Sequence, residues 1–388
     1  MREYDFILAG GGMAGLSLAV ALAEGPIEDR SILIIDPEER GDNEQTWCYW
    51  TREGDPIEAA VSHSWKRLRF ASSSWTRVID LGAYRYSMVR GDDFYREMLD
   101  RLDAHPTVEF ERAHVLEIVD GDDAAEVVTD MGTVRGTWVF DSRFDAAQYS
   151  HRSGPYQYLK QHFAGWMIET ADPIFDPETP TLFDFRTPGH GDMRFVYVLP
   201  FSRCRALVEY TLFSAELLPD EEYARSIEAY IADVLGAGEY RVIGRERGVI
   251  PMTDEPVERR EGARTLAIGT RGGLVKPSTG YAFLRTQLDT RRIVDSLLRE
   301  GHPFDLPHPS RRARLLDTLL LQVISRRGDL SERVFAGLFR RNPIERLLRF
   351  LDEEASLIQT LAVMTTVPIL PFLAALWRTI VPKKGTVA

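Results

Sequence analysis

Three stretches of the chain combine residue types and spacings that suit chemistry. The first is Gly10-Gly11-Gly12-Met13-Ala14-Gly15, a GxGxxG pattern between the strand-like run Tyr4 to Ala9 and the helix-like run Met13 to Glu24. Gly10 permits a tight turn, Gly12 lets backbone approach a pyrophosphate, Ala14 lies in the same turn, and Gly15 lets the helix pack against the strand. Asp36 ends the next strand, where a carboxylate can accept from a ribose hydroxyl, and a helix N-terminus favours phosphate. Strand, helix and acid in register predict dinucleotide binding. The second stretch is GTRGGLVKPSTGY, Gly269 to Tyr281. Gly272, Gly273 and Gly280 let backbone approach a ligand, Pro277 fixes a turn, and Thr279 and Gly280 stand where a helix is expected to begin, with amides pointing outward. Two anion-friendly helix ends from distant segments suit one long cofactor, FAD. Its adenosine would lie at the first and its flavin at the second, where the helix dipole favours the reduced anion. An ordinary capped loop is the competing reading of this stretch. The third is RALVEYTLF, Arg205 to Phe213, a strand with one carboxylate, Glu209. Ala206, Val208, Tyr210 and Leu212 form one apolar face. Glu209 shares the other face with Leu207, Thr211 and Phe213, so it is either a solvated acid or a buried one with a task.

The surrounding pattern says what must position these groups. Strand, helix and strand follow one another from Tyr4 to Asp36; Asp93 to Arg101 is helical, and short strands run from Thr107 to Asp141. Long alternating strands, YLKQHFAGWMIET, TLFDFR, RFVYVLP and RALVEYTLF, then predict an antiparallel sheet. Glu221 to Leu235 is helical, RTLAIG (Arg264 to Gly269) returns to a core strand, a helix runs from Tyr281 to about Glu300, and helix dominates from Ser310 on. The expected fold is α/β. A Rossmann-like FAD-binding domain of the glutathione-reductase or hydroxylase type is split over 1–150 and 245–305. An antiparallel-sheet substrate domain is inserted at 151–244, and 306–388 is a helical, membrane-associating region.

Bulk properties narrow the classes. The chain has 388 residues and a net charge of −12, which argues against nucleic-acid binding, since phosphate binding needs a basic surface. Two cysteines and eight scattered histidines give neither a disulfide framework nor a metal-ligand cluster, so no metal is expected. The N-terminus runs straight into a strand and lacks a secretory pattern. Ala355 to Trp377 carries no charge; Asp352, Glu353 and Glu354 precede it, and Arg378, Lys383 and Lys384 follow. Its length reaches the ~20 residues of a membrane span, yet Pro368 and Pro371 interrupt it, and Gln359, Thr365 and Thr366 dilute it. A buried helix pair, an in-plane anchor and a full span compete, and the in-plane anchor fits best.

In DFILAGGGMAGLSLA with Asp36, Thr46-Trp47, YSMVRGDDF with Tyr86 and Arg90, and DSR at Asp141 to Arg143, the chain resembles the bacterial lycopene cyclases. QHFAG at Gln161, FDFR at Phe183, FVYVLPFS at Phe195, ALVEYT at Ala206, GVIPM at Gly248 and GTRGGLVKPSTGY at Gly269 extend the resemblance to about residue 300. These are flavoproteins that form rings on carotenoid ends. The chain departs from the pattern at Gln45, where a histidine is frequent, and at Glu209-Tyr210-Thr211, where plant relatives carry paired acids. Gly269-Thr270 also replaces the Gly-Asp pair usual in flavin hydroxylases.

The resemblance implies FAD held by Gly10, Gly12, Ala14, Gly15, Asp36, Arg90, Asp141, Gly269, Gly272, Gly273, Thr279 and Gly280, active when reduced, with NAD(P)H as reductant. It implies that Glu209 protonates an alkene near the chain end of lycopene. Ring closure onto the cation and loss of a ring proton would follow, with nothing oxidised overall. Desolvation beside aromatic groups would keep such an acid protonated. Phe185, Phe195 and Tyr197 are expected as cation-facing aromatics. The implied partner is a carotenoid drawn from a lipid bilayer, and the implied location is the cytoplasmic face of the membrane, peripheral or monotopic. An FAD-dependent oxidoreductase on an isoprenoid lipid, of the geranylgeranyl reductase or monooxygenase type, is the rival reading.

Overall fold

A computed structural model describes residues 1–27, 30–38, 45–52, 60–144 and 156–381. In chain order, β1 (Arg2–Ala9), α1 (Met13–Ala23) and β2 (Ile32–Ile35) open the fold, followed by β3 (Thr46–Arg52), β4 (His63–Trp65), β5 (Arg67–Ala71), β6 (Thr76–Asp80), β7 (Tyr84–Arg90) and α2 (Gly91–Asp103). Next come β8 (Val108–Glu111), β9 (Val115–Val119), β10 (Ala125–Thr129), β11 (Gly132–Asp141), β12 (Tyr158–Thr170), β13 (Thr181–Asp184), β14 (Met193–Pro200), β15 (Arg205–Ser214) and α3 (Asp220–Asp233). The chain continues with β16 (Tyr240–Thr253), β17 (Thr265–Ala267), α4 (Phe283–Glu300), α5 (Arg311–Arg327), α6 (Ser331–Arg341), α7 (Ile344–Leu351), α8 (Leu357–Met364) and α9 (Ile369–Ile380).

The first sheet has the order β8-β2-β1-β11-β10-β9, with β17 beside β11. Strands β8, β2, β1, β11 and β17 pair in parallel. A parallel sheet is covered on both faces, which is why β2 reads ILII with all four residues buried. Helix α1, MAGLSLAVALA, is apolar all round because it is sandwiched between this sheet and α2 and α4. The carboxyl end of β1 has β2 on one side and β11 on the other, so the chain diverges there and leaves a crevice outside the strand ends.

The second sheet, β16-β12-β15-β14-β13-β5-β6, is largely antiparallel, and β3-β7-β4 form a third. One face of the second sheet, with Trp166, Val198, Val208 and Tyr210, packs against α3 through Tyr223, Ile227 and Ile231. The other face carries Leu207, Phe195 and Phe213 and packs against α5 and α6. Neither face of β15 is therefore a water face, and the solvated reading of Glu209 fails.

The second sheet draws strands from both sides of the expected boundaries. β5 and β6 come from the first 150 residues, and β16 runs unbroken through residue 245. A boundary at 244/245 would cut this 14-residue strand, because β16 needs its whole length to pair with β12. The other boundary, at 150/151, lies outside the described residues.

Among the described residues no helix is long and apolar enough to cross a membrane. The charge-free run at 355–377 folds as two short helices, α8 and α9, which turn at Thr365 to Pro368. Gln359 closes a capping box with Ser356. Pro368 and Pro371 sit at the start of α9, where proline costs no intrahelical hydrogen bond. Lys383 and Lys384 lie outside the described residues.

Candidate functional site

The crevice at the end of β1 opens into a cavity of about 360 Å³. One wall is the nucleotide-type segments: Gly12, Met13, Ala14, Gly269 and the run Thr279 to Phe283. The opposite wall is the second sheet, through Gln161 and Phe163 of β12, Tyr197 and Leu199 of β14, and Leu207 and Glu209 of β15. Residues Gln45 to Cys48 and Tyr86 close it.

The glycines of the first wall differ in their work. Gly10 sits at φ +114, and a Cβ there would meet Ser142 Oγ at 2.3 Å. A Cβ on Gly15 would lie 2.0 Å from the Gly10 carbonyl oxygen, so α1 can approach the turn only without one. At Gly12 a Cβ would meet nothing within 4 Å, which leaves that face of the turn open to a ligand. Asp36 accepts from the Gly11 amide at 2.6 Å, so it also braces the turn. Ala14 and Gly269 touch: a Cβ on Gly269 would come within 2.7 Å of the Ala14 methyl. Three buried polar atoms of cavity-lining residues, Gln161 Oε1, Thr279 Oγ1 and Thr286 Oγ1, have no partner among the described residues. An open turn and orphaned polar atoms are what a site for a long polar cofactor requires, because such groups are costly to bury unpaired.

Several expected site residues lie elsewhere. Asp141 is fully buried and ion-paired with Arg143 at 2.7 Å and Arg271 at 3.2 Å, behind the crevice. Arg90 caps α2 and pairs with Asp92 at 2.9 Å near the surface. Gly272 and Gly273 shape the turn after β17; a Cβ on Gly272 would strike the Ala267 carbonyl oxygen at 2.6 Å. The amides of Thr279 and Gly280 do not point outward. Both donate to the Lys276 carbonyl, because α4 begins only at Phe283 and these residues belong to the preceding turn. Gly280 is required there at φ +73, and a Cβ on it would overlap Gln161 Oε1. Phe185 and Phe195 share the face of Glu209 but not its cavity. They pack with Phe183 and Phe335 under α6, as alternation fixes the face of a strand and not what covers it. Tyr197 does line the cavity, with its ring 5.0 Å from that of Phe195.

Glu209 stands opposite Gly165 of β12 and Tyr197 of β14. Thr211 Oγ1 donates to its Oε1 at 2.7 Å. A second acid not expected from the sequence, Glu246 of β16, faces the same Gly165 from the other side. The two carboxyl groups approach each other across that glycine closely enough to share a proton. Thr46 Oγ1 donates to Glu246 Oε2 at 2.8 Å. Burial pushes Glu209 well above the usual carboxylate range, and the neighbouring Glu246 charge and their shared hydrogen bond add to this. Burial also raises Glu246, but bonds from Glu209 and Thr46 hold it down. Burial therefore favours a proton on the pair, and Glu209 is the member pushed further towards its neutral form.

Tyr86, Tyr197 and Tyr281 gather beside this pair. The Tyr86 and Tyr281 hydroxyls are 3.5 Å apart, Tyr281 also bonds Tyr197, and the Trp50 ring meets that of Tyr281 edge-on at 4.9 Å. Burial raises all three phenols and the Cys48 thiol, so they stay neutral. A protonated carboxyl at the wall of a cavity rimmed by neutral aromatic rings can donate a proton to an apolar group and face the cation that results. Glu246 was hidden in the charged triplet Arg245-Glu246-Arg247, which reads as a solvated edge. The available signal was Gly165, since a glycine inside a long strand marks close approach of other groups.

The model of the lycopene cyclase protein family matches residues 5–377. The chain belongs to that family. It is 25% identical over 396 residues to the lycopene beta-cyclase of Pantoea ananas, covering 96% of this chain and 97% of that one. It is 26% identical over 299 residues to the chloroplastic neoxanthin synthase of Solanum lycopersicum, covering 73% of this chain and 58% of that one. The chain spans about three fifths of the length of these plant relatives. Among solved structures, a geranylgeranyl bacteriochlorophyll reductase-like protein of Thermoplasma acidophilum superposes with a TM-score of 0.59 at 14% identity, covering 97% and 96% of the two chains. A probable FAD-dependent monooxygenase of Pseudomonas aeruginosa gives 0.57 at 16% identity, covering 87% and 100%. Both share the fold, a mixed α/β architecture with several sheets.

Proposed function

We propose that the protein is a flavin-dependent, non-redox lycopene cyclase that closes the ψ-ends of lycopene to β-rings, giving γ-carotene and β-carotene. The observation that carries this reading is the position of Glu209 in the cavity wall beside Glu246, in the cavity that the open Gly12 turn also lines, where burial favours its neutral form. Family membership and the similarity to the Pantoea enzyme support it. Glu209 gives its proton to the terminal alkene, an internal double bond attacks the cation, and a ring proton leaves. The Tyr197, Tyr281 and Tyr86 rings stay neutral and present electron-rich surface to the cation. Gly12, Ala14 and Gly269 would hold the cofactor's phosphate-bearing part, and Thr279, Thr286 and Gln161 its polar ring edge. FAD, reduced by NAD(P)H that is not consumed at each turnover, supplies negative charge beside the cavity when bound.

The substrate is a long hydrocarbon and would be collected from a bilayer, with the protein peripheral or monotopic at the cytoplasmic face. Helices α8 and α9 support this. They hold out Ile358, Leu370 and Trp377, which are 81%, 80% and 69% exposed, with Arg378 beside them. Large apolar side chains held out on two consecutive helices suit an interaction site, and in-plane helices present them to lipid.

The test is anaerobic incubation of the holoprotein with lycopene in liposomes and chemically reduced FAD, followed by chromatography of the carotenoids. Ring-bearing product without stoichiometric NAD(P)H use is expected, and Glu209→Gln should abolish it at unchanged flavin content. Unchanged lycopene with intact FAD, or NAD(P)H consumed once per turnover, would replace the cyclase reading by an oxidoreductase acting on an isoprenoid lipid.

A further inference from the structure

We infer that Glu246 is the positioning partner of Glu209, the second carboxylate of a one-proton pair that holds the donor's proton at rest and favours its return after the cation has formed. The inference rests on the cyclase reading above. Glu209 and Glu246 come from strands β15 and β16, which do not pair with each other; β12 lies between them, and both acids register with Gly165. A Cβ at 165 would lie 2.9 Å from Glu246 Cγ and 3.3 Å from Glu246 Oε1, so the missing side chain is what gives the Glu246 carboxyl its place between β16 and Glu209. Thr46 anchors Glu246 Oε2, while among the described residues Glu246 Oε1 is buried without a partner unless Glu209 supplies a proton. Glu209 lines the cavity and Glu246 stands behind it, so Glu246 acts through Glu209.

The groups that face the pair are Thr46 and Cys48 from β3, Tyr86 from β7, Tyr197 from β14, Thr211 from β15 and Tyr281 from the turn before α4, and the charge of Arg90 reaches Glu246 from the surface end of β7. The thiol and phenols are neutral, and Arg90, near the surface, favours the charge on Glu246. The proton balance closes without an oxidant. The Glu209 O–H bond breaks as a C–H bond forms with the alkene's π electrons, leaving two carboxylates opposite one cation. A second π bond closes the ring. A C–H bond beside the cationic carbon then breaks, its electrons become the ring double bond, and the proton returns to the pair. Two adjacent carboxylates repel, which favours that return.

The experiment is infrared titration of the protonated-carboxyl stretch in the flavin-loaded protein, beside the pH dependence of cyclisation. The wild type should show a carboxyl band at neutral pH that Glu209→Gln removes. Glu246→Gln keeps the volume and the Thr46 contact but removes the charge. Its band should titrate at least about one pH unit lower, with the alkaline limb of the rate moving by the same amount. Glu246→Asp, with its shorter carboxylate, should fall between the two and serves if the Gln variant does not fold. A band and a rate limb superimposable on the wild type in the folded Glu246 variants would overturn the inference, as would loss of amplitude with no shift. The band does not depend on substrate. A protein that shows the shift but leaves lycopene unchanged would therefore fail the cyclase reading while keeping the pair.

Discussion

Gly165→Ala tests the geometry on which the acid pair stands. The added methyl would lie 2.9 Å from Glu246 Cγ and 3.0 Å from Leu207 Cδ1, against an ordinary carbon–carbon separation of about 3.5–4.0 Å. The Leu207 methyl can rotate away. Glu246 Cγ cannot move without dragging a carboxylate that Thr46 holds at 2.8 Å. Overpacking of this kind costs ~1–3 kcal/mol. Gly165 is not at positive φ, so alanine also returns ~0.4–1 kcal/mol by restricting the unfolded chain. The net loss is at most about 2.5 kcal/mol. With an unfolding entropy of ~2.1 cal/mol/K per residue, a chain of this length loses at most about 3 °C in Tm. The effect on turnover should be much larger. Parting the carboxyls removes a hydrogen bond to a charged group, about 1.5–3 kcal/mol, which is roughly a 10- to 100-fold fall in rate. Thermal melts and carotenoid chromatography on samples matched for flavin content give the two numbers. Wild-type turnover in a folded Gly165→Ala protein would refute the reasoning, and so would a fall in turnover fully matched by lost flavin.

Gly12→Ala should fold as the wild type, within about 0.5 kcal/mol, because its Cβ meets nothing, yet carry less flavin; normal flavin absorbance would show that this turn does not face the cofactor. Asp352 is pushed up to about 7 by burial, while its bond from Trp50 opposes the shift. The folded protein therefore binds this proton more tightly than the unfolded chain. The stabilisation is full below about pH 4 and is lost as pH rises through about 7, up to ~4 kcal/mol. Asp352→Asn should lack that slope, and parallel denaturation midpoints for the two proteins from pH 5 to 8 would contradict it. Replacing Ile358 and Leu370 together by Asp should leave Tm within about 1 °C, since both are exposed, and abolish co-sedimentation with anionic liposomes. Unchanged co-sedimentation would move the lipid contact elsewhere.

What could be read from the chain alone followed the range of the forces involved. The Gly10 to Gly15 turn, α1 and the buried ILII strand are set by local periodicity and by glycine, and they stand where those signals put them. Glu209 was visible as an acid on a strand, but its partner was not, because Glu246 reaches it through pairing of β16 with β12 over some 80 residues of sequence. Phe185 and Phe195 are expected beside the cation, but Phe185 lies just past the end of β13 and both rings pack under α6, because the helix that covers a stretch of sheet is not written in the strand itself. Thr279 and Gly280 were read as a helix start because a glycine-rich turn and a helix N-terminus share residue preferences. The hydrogen bonds to Lys276 that separate the two cases are invisible in sequence.

The acid pair also ties the chemistry to strand phase. Between Met167 and Ile168 of β12 the partner strand β16 carries one extra residue, a bulge at Ile243, after which pairing runs unbroken from Gly244 to Thr253. A slip of one residue in that stretch would turn Glu246 to the α3 face and bring Arg245 or Arg247 beside Glu209 in its place. A cation there would favour loss of the Glu209 proton, so the same sequence in the neighbouring register would be a folded sheet without an acid. The donor exists in one alignment of three strands, and a chain that has condensed without settling that alignment has no means of starting the reaction.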